Sequence, residues 1–166
     1  NTMERKHVIA CLVENHFGVL ARIAGLFSAR AFNIDSLTVG ETEDPTVSRM
    51  TVVVLGDEKV MDQVKKQLNK VIDVIKVLDL SSKNFIDREL ALVKIHATKD
   101  TRPAILQLIE VFEGNVVDIT QKVVTAEITG ATQKIEAFID VVKPYGIMEM
   151  ARTGKIALAR EPLSGT

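Results

Sequence analysis

Asn15, Gly18 and Asn33 are the residues whose types and spacing point to chemistry, and that chemistry is the holding of a small zwitterion. They bracket one amphipathic run, Val19 to Ala31: Glu14-Asn15-His16-Phe17-Gly18 leads into it and Asn33 follows it. A glycine at the start of a helix lets backbone N–H groups approach an anion with no Cβ in the way. Two carboxamides beside those donors could hold both ends of a free amino acid, N–H groups on the carboxylate and carbonyl oxygens on the ammonium. Asparagine and glycine are also ordinary turn residues, and the spacing alone leaves both readings open.

Other chemistries find less support. His7, His16 and His96 are spread along the chain without ligand spacing, so no metal site is expected. Glu41, Glu43 and Asp44 fall in a polar turn, and Glu58, Asp62 and Asp73 lie around a later helix as a solvated face with lysines. Nothing forces two of these carboxylates together as an acid/base pair. Ser81-Ser82 lacks a nucleophile-elbow context, and neither a Walker loop nor Gly-x-Gly-x-x-Gly is present, so no catalytic residue is expected. Cys11, the sole cysteine, sits in the apolar run His7 to Val13 and reads as a small buried thiol.

Twenty-one Lys and Arg against 22 Asp and Glu give no electrostatic reason to expect nucleic acid or acidic membranes as partners. A signal-like apolar start and a stretch of transmembrane length are both missing, so a cytoplasmic location is expected. Asn1-Thr2 ahead of Met3 read as an addition before a native start, or as what remains after a transit peptide is trimmed.

The elements that must position the candidate residues follow from periodicity. With 166 residues, 46% of them hydrophobic, the chain can fill one ordinary domain or two small ones. Strand His7 to Val13 leads to a helix with Val19, Leu20, Ile23, Ala24, Leu26, Phe27 and Ala31 on one face. Strands Ile34 to Val39 and Val47 to Leu55 follow, then a helix capped by Asp57 with Val60, Met61, Val64 and Leu68, then strand Val71 to Leu80. The plan repeats. Strand Leu90 to Ala97, a helix opened by Thr101 and Pro103, strands Val116 to Thr120 and Lys122 to Ile128, a helix capped by Thr129 or Thr132, and a last strand from Ile147 to Met150 with Ile156 to Leu158 complete it.

The fold class is therefore α+β: two ferredoxin-like βαββαβ units, residues 5–81 and 89–160, joined by a linker over 82–88. Such a unit is a four-stranded antiparallel sheet with both helices on one face and its second strand on an edge. Pairing that edge in a symmetric dimer would extend the sheet and place two Asn15-to-Gly18 turns near the interface. RNA recognition uses the same architecture, but the strands that would stack bases carry no Phe, Tyr or Trp.

The run Glu14-Asn15-His16-Phe17-Gly18-Val19-Leu20-Ala21-Arg22-Ile23-Ala24-Gly25-Leu26-Phe27 resembles the opening of an ACT domain, a module that binds amino acids and regulates their metabolism. Together with Phe32-Asn33-Ile34-Asp35-Ser36-Leu37, Ser48-Arg49-Met50-Thr51, Gln67-Leu68-Asn69-Lys70, Arg88 to Lys94 and Ala151-Arg152-Thr153-Gly154, it is similar to the small regulatory subunits of acetohydroxyacid synthase (acetolactate synthase). The resemblance implies an N-terminal ACT domain, a C-terminal ACT-like domain, a homodimer, and no catalysis by this chain alone. It further implies a large catalytic subunit as partner. That subunit holds thiamine diphosphate, magnesium and FAD, makes acetolactate in branched-chain amino-acid biosynthesis, and is activated and made sensitive to valine or a related end product by its small subunit. A plant or algal source would place the protein in the plastid stroma.

Carried over by position, the resemblance makes Asn15, Gly18 and Asn33 the effector contacts, with backbone from Phe17, Val19, Leu20 and Ile34. His16 and Phe17 stand where the family varies, and so would tune pocket size or access. Lys99-Asp100-Thr101-Arg102-Pro103 replaces the Asn-x-x-Gly turn in the second half, so no second effector site is expected there. A stand-alone ACT-type sensor of another amino acid and a small enzyme of unknown chemistry remain as alternatives; ligand binding without stimulation of a large subunit, or turnover by this chain, would distinguish them.

Overall fold

Periodicity and capping produce the first unit in the order expected. The computed structural model describes residues 4–81 and 83–162. The near-continuous apolar run becomes β1 (Arg5–Glu14), buried on both faces because both are covered. The amphipathic run becomes α1 (Val19–Ala29), burying Val19, Ile23 and Phe27. β2 (Asn33–Glu41) and β3 (Val47–Gly56) form a hairpin. Asp57 then caps α2 (Glu58–Asn69) by accepting the Val60 N–H at 2.9 Å, and Met61, Val64 and Leu68 face the core. β4 (Val74–Asp79) closes the sheet, shorter than expected because Val71 ends the helix turn and Val74 N–H bonds back to its carbonyl.

The strand order is β2-β3-β1-β4, every pairing antiparallel, so β2 does lie on an edge. One face of the sheet packs against both helices through Ile9, Cys11, Val13, Met50, Val52 and Val54.

The second unit repeats the plan with β5 (Phe85–His96), α3 (Arg102–Val111), β6 (Asn115–Ile119), β7 (Val123–Gly130), α4 (Thr132–Val142) and β8 (Ile147–Arg152). Its order is β6-β7-β5-β8. The aromatic pairs of the two units differ: Phe27 inside α1 meets Phe32 just beyond that helix edge-on at 5.8 Å, whereas Phe112 at the end of α3 meets Phe138 of α4 edge-on at 5.5 Å. β5 alternates strictly, with Ala91, Val93 and Ile95 on the helices and Leu92 and Lys94 on the open face.

Four expectations change. The linker over 82–88 is mostly strand, since β5 already begins at Phe85; Ser82 lies outside the described residues, as do Asn1 to Met3. Ile147 to Met150 and Ile156 to Leu158 are two strands, separated by Thr153, a left-handed Gly154 and Lys155. The second of them, β9 (Ile156–Ala159), pairs with β5 and returns to the first unit, whose bounds are residues up to 86 plus 155 onward; the other unit is Asp87–Gly154. The compact units therefore differ from the segments 5–81 and 89–160 in where residues 155 onward belong. The physical reason is the second sheet face, which the helices do not cover: Val8, Ala10, Val53 and Leu80 are buried there together with Ala157, and Phe85 packs on them. Arg49 fixes the segment by donating to the Ala157 carbonyl at 2.9 Å. Finally, neither Thr129 nor Thr132 caps α4; Ala131 holds that position without a side-chain bond, and the Thr132 hydroxyl is buried without a partner among the described residues.

Candidate functional site

The loop from β1 to α1 is pinned on both sides before it reaches the helix. Glu14 N–H donates to the Asp73 carbonyl at 2.9 Å and Asn15 N–H to the Thr46 carbonyl at 2.8 Å. The Asn15 carboxamide donates to Glu41 Oε1 at 3.1 Å and to the Pro45 carbonyl at 2.9 Å, so what it can offer a ligand is its oxygen.

Gly18 is the N-cap of α1 with φ 86° and ψ −8°, and no side chain caps the helix. A Cβ there would meet nothing within 4 Å, so glycine is required by the left-handed backbone rather than by lack of space. The first-turn N–H groups of any helix lack intrahelical acceptors. Here the Val19 N–H reaches only a distant His16 carbonyl at 3.4 Å, and no acid stands in the first turn. The positive end of the helix thus faces open space, where a carboxylate would be favoured.

The other candidates divide. Phe17 is 100% exposed and Leu20 half exposed beside this opening. The Val19 side chain is buried, and Ile34 packs on the same core, so both could contribute only backbone. Asn33 is exposed but lies at the opposite end of the sheet. It pairs with Leu55, whereas Glu41, which Asn15 holds, pairs with Ser48; β2 between them is about 25 Å long. One copy therefore does not bring Asn33 to Gly18, because α1 carries the chain back to the far end before β2 begins.

His16 belongs to a cluster that the sequence reading missed. Its Nε2 lies 3.1 Å from Glu14 Oε2 and 2.9 Å from Asp73 Oδ1. Asp73, read as part of a solvated face, is instead buried, and its other oxygen accepts from Arg22 of α1. Glu14, His16 and Asp73 bring ligand-type atoms within 4.8 Å of one another, but the guanidinium already neutralises Asp73, which makes the group an ion-pair network. The available signal was an aspartate enclosed by apolar neighbours in Val71-Ile72-Asp73-Val74-Ile75. Hydrogen bonds to Glu14 and to the Phe17 carbonyl, with Asp73 nearby, raise the His16 pKa above its ordinary 6.5. Cys11 is fully buried as expected, and burial pushes its thiol up to about 12, which leaves it a poor nucleophile.

The equivalent corner of the second unit is closed. Thr98 and Thr101 exchange backbone-to-hydroxyl bonds of 2.8 and 3.1 Å at the start of α3, and Arg102 donates to the Thr120 and Gln121 carbonyls. The charges of this unit gather elsewhere, where Arg152 grips the buried Glu89 at 2.6 and 3.1 Å and reaches Glu136 at 2.8 Å.

Residues 9–76 match a family model described as an AHAS small subunit-like ACT domain, and residues 88–161 match one described as the small subunit of acetolactate synthase. A probable acetolactate synthase small subunit of Archaeoglobus fulgidus is 52% identical over 93% of this chain and 97% of its own. An acetolactate synthase small subunit of Aquifex aeolicus is 48% identical over 95% of this chain and 82% of its own. The crystal structure of the acetolactate synthase small subunit from Thermotoga maritima superposes with a TM-score of 0.86 at 41% identity, covering 96% of this chain and 99% of that one.

Proposed function

The chain belongs to the family of acetolactate synthase small subunits, and on that premise we propose that it binds valine or a related branched-chain amino acid and thereby regulates a catalytic large subunit. In this reading the small subunit activates its partner and transmits feedback inhibition, while thiamine diphosphate, magnesium and FAD belong to the large subunit. The single observation that carries it is the uncapped, glycine-opened start of α1. Its first-turn N–H groups, which no side chain caps, and its dipole suit the effector carboxylate, and the Asn15 oxygen suits the ammonium.

The separation of Gly18 from Asn33 supports a site shared by two copies. An exposed second strand invites antiparallel pairing with its own copy about a two-fold axis. If that axis passes near Leu37, Asn33 of the partner subunit comes opposite Glu41, beside Asn15 and the Gly18 helix start. Neither half is complete alone, so effector binding and the manner in which the two edges meet become one equilibrium. A coupling of about 1 to 3 kcal/mol is typical for such regulation.

The test is calorimetric titration of the intact dimer with valine, leucine and isoleucine. Gly18→Asp, which puts a carboxylate where the effector's would lie, and Asn33→Ala should each weaken binding at least tenfold; unchanged affinity in both would discard the placement. Acetolactate formation by a purified large subunit, measured with and without this chain and valine, tests the regulatory role itself. Binding without stimulation would point to a stand-alone sensor.

A further inference from the structure

We propose that His16 is a proton-operated latch on the effector loop: as an imidazolium it ties the loop to Asp73 and Glu14 and holds the Gly18 helix start in its anion-binding form. The consequence for the effector rests on the reading of Gly18 given above; the latch itself concerns only the loop.

Among the described residues, three hydrogen-bond acceptors face the ring. Nε2 faces Asp73 Oδ1, from the turn between α2 and β4, at 2.9 Å and Glu14 Oε2, from β1, at 3.1 Å, while Nδ1 faces the Phe17 carbonyl at 3.5 Å. A neutral imidazole has one N–H, so one nitrogen would turn a lone pair on an acceptor; the imidazolium satisfies both sides. Charge counting gives the same answer. Glu14 and Asp73 bring two negative charges and Arg22, from α1, one positive charge, so a proton on His16 neutralises the cluster. Asp73 is 4% exposed and cannot turn its oxygens to water instead.

The link to the helix start is short. The Phe17 carbonyl faces ring Nδ1, so the peptide between Phe17 and Gly18 is tied to the ring, and the His16 carbonyl of the same loop accepts the Val19 N–H. A pKa raised by folding means that the tie is present below the ordinary 6.5 and is lost as pH rises through the folded value, which lies above it. Effector affinity should therefore fall as pH rises through that point.

The experiment follows the His16 ring and the Gly18 and Leu20 amides of the intact chain by NMR from about pH 6 to about pH 8.5, with valine calorimetry at both ends. We expect the amides to titrate with the ring, at a midpoint above 6.5, in the unliganded protein. In His16→Gln they should not titrate. Valine affinity should drop about fivefold across the midpoint and become pH-independent in that variant. Amides that ignore pH, or that titrate equally in His16→Gln, overturn the latch. Absence of valine binding at both ends with intact amide titration overturns only the effector reading, because the latch is read without ligand.

Discussion

The loop before α1 and the loop before α3 occupy the same place in two copies of one topology, yet one is open and the other sealed. Before α1, a left-handed glycine leaves the first-turn N–H groups without a side-chain cap, and the nearby charges Glu14, His16, Asp73 and Arg22 are assembled around the loop itself. Before α3, which likewise has no side-chain cap bond, Thr98 and Thr101 hold one another's backbone N–H, the Arg102 N–H donates to the Thr98 carbonyl, Pro103 brings no N–H, and the Arg102 side chain lies over the neighbouring carbonyls. The second unit instead concentrates its charge across β5 and β8, where Arg152 meets Glu89. A duplicated scaffold can thus keep its core and change what one corner offers to solvent, because the turn before a helix is decided by a few residues while the fold is decided by many.

Three variants would break or sharpen that contrast. Ending the chain after Gly154 should have the largest effect. It removes β9 from Val8, Ala10, Val53 and Leu80 and should destabilise the first unit by roughly 2 to 4 kcal/mol, read by hydrogen exchange of the β1 and β3 amides. Arg152→Ala should follow at about 2 to 3 kcal/mol, because it strands the buried Glu89 carboxylate while part of the pair is open to water. Urea unfolding should show this loss in the second unit, and calorimetry should show unchanged valine affinity. Thr98→Ala should be smallest, about 1 kcal/mol for the lost hydrogen bond from the Thr101 N–H, read in thermal unfolding. A second valine site appearing in that variant would mean that the threonine pair alone separates the two corners; Arg102 over its carbonyls leads us to expect none.

Much of this was legible in the chain itself. The apolar run from His7 to Val13, the 3.6-residue spacing after Gly18 and the Asp57 cap each specify a local conformation, and the doubled βαββαβ order follows from them. The open helix start was legible for the same reason, since a glycine and its neighbours fix their own backbone. What periodicity cannot state is which distant segments meet. Asp73 reads as a surface acid until the α2–β4 turn slides it beneath His16. Residues 156–159 read as the end of a second domain until a bare sheet face on the first draws them back.

The sequence by itself determined the elements, their faces and the chemical character of the turn at Asn15 to Gly18, because these depend on backbone preferences within a few residues. Only the tertiary structure decided that Asn33 stands a strand's length from Gly18, that His16 shares a buried carboxylate with Arg22, and that the first unit is built from both ends of the chain. Those facts depend on long-range pairing and burial, where the free energy comes from covering apolar faces and neutralising charges brought together across many residues of intervening chain.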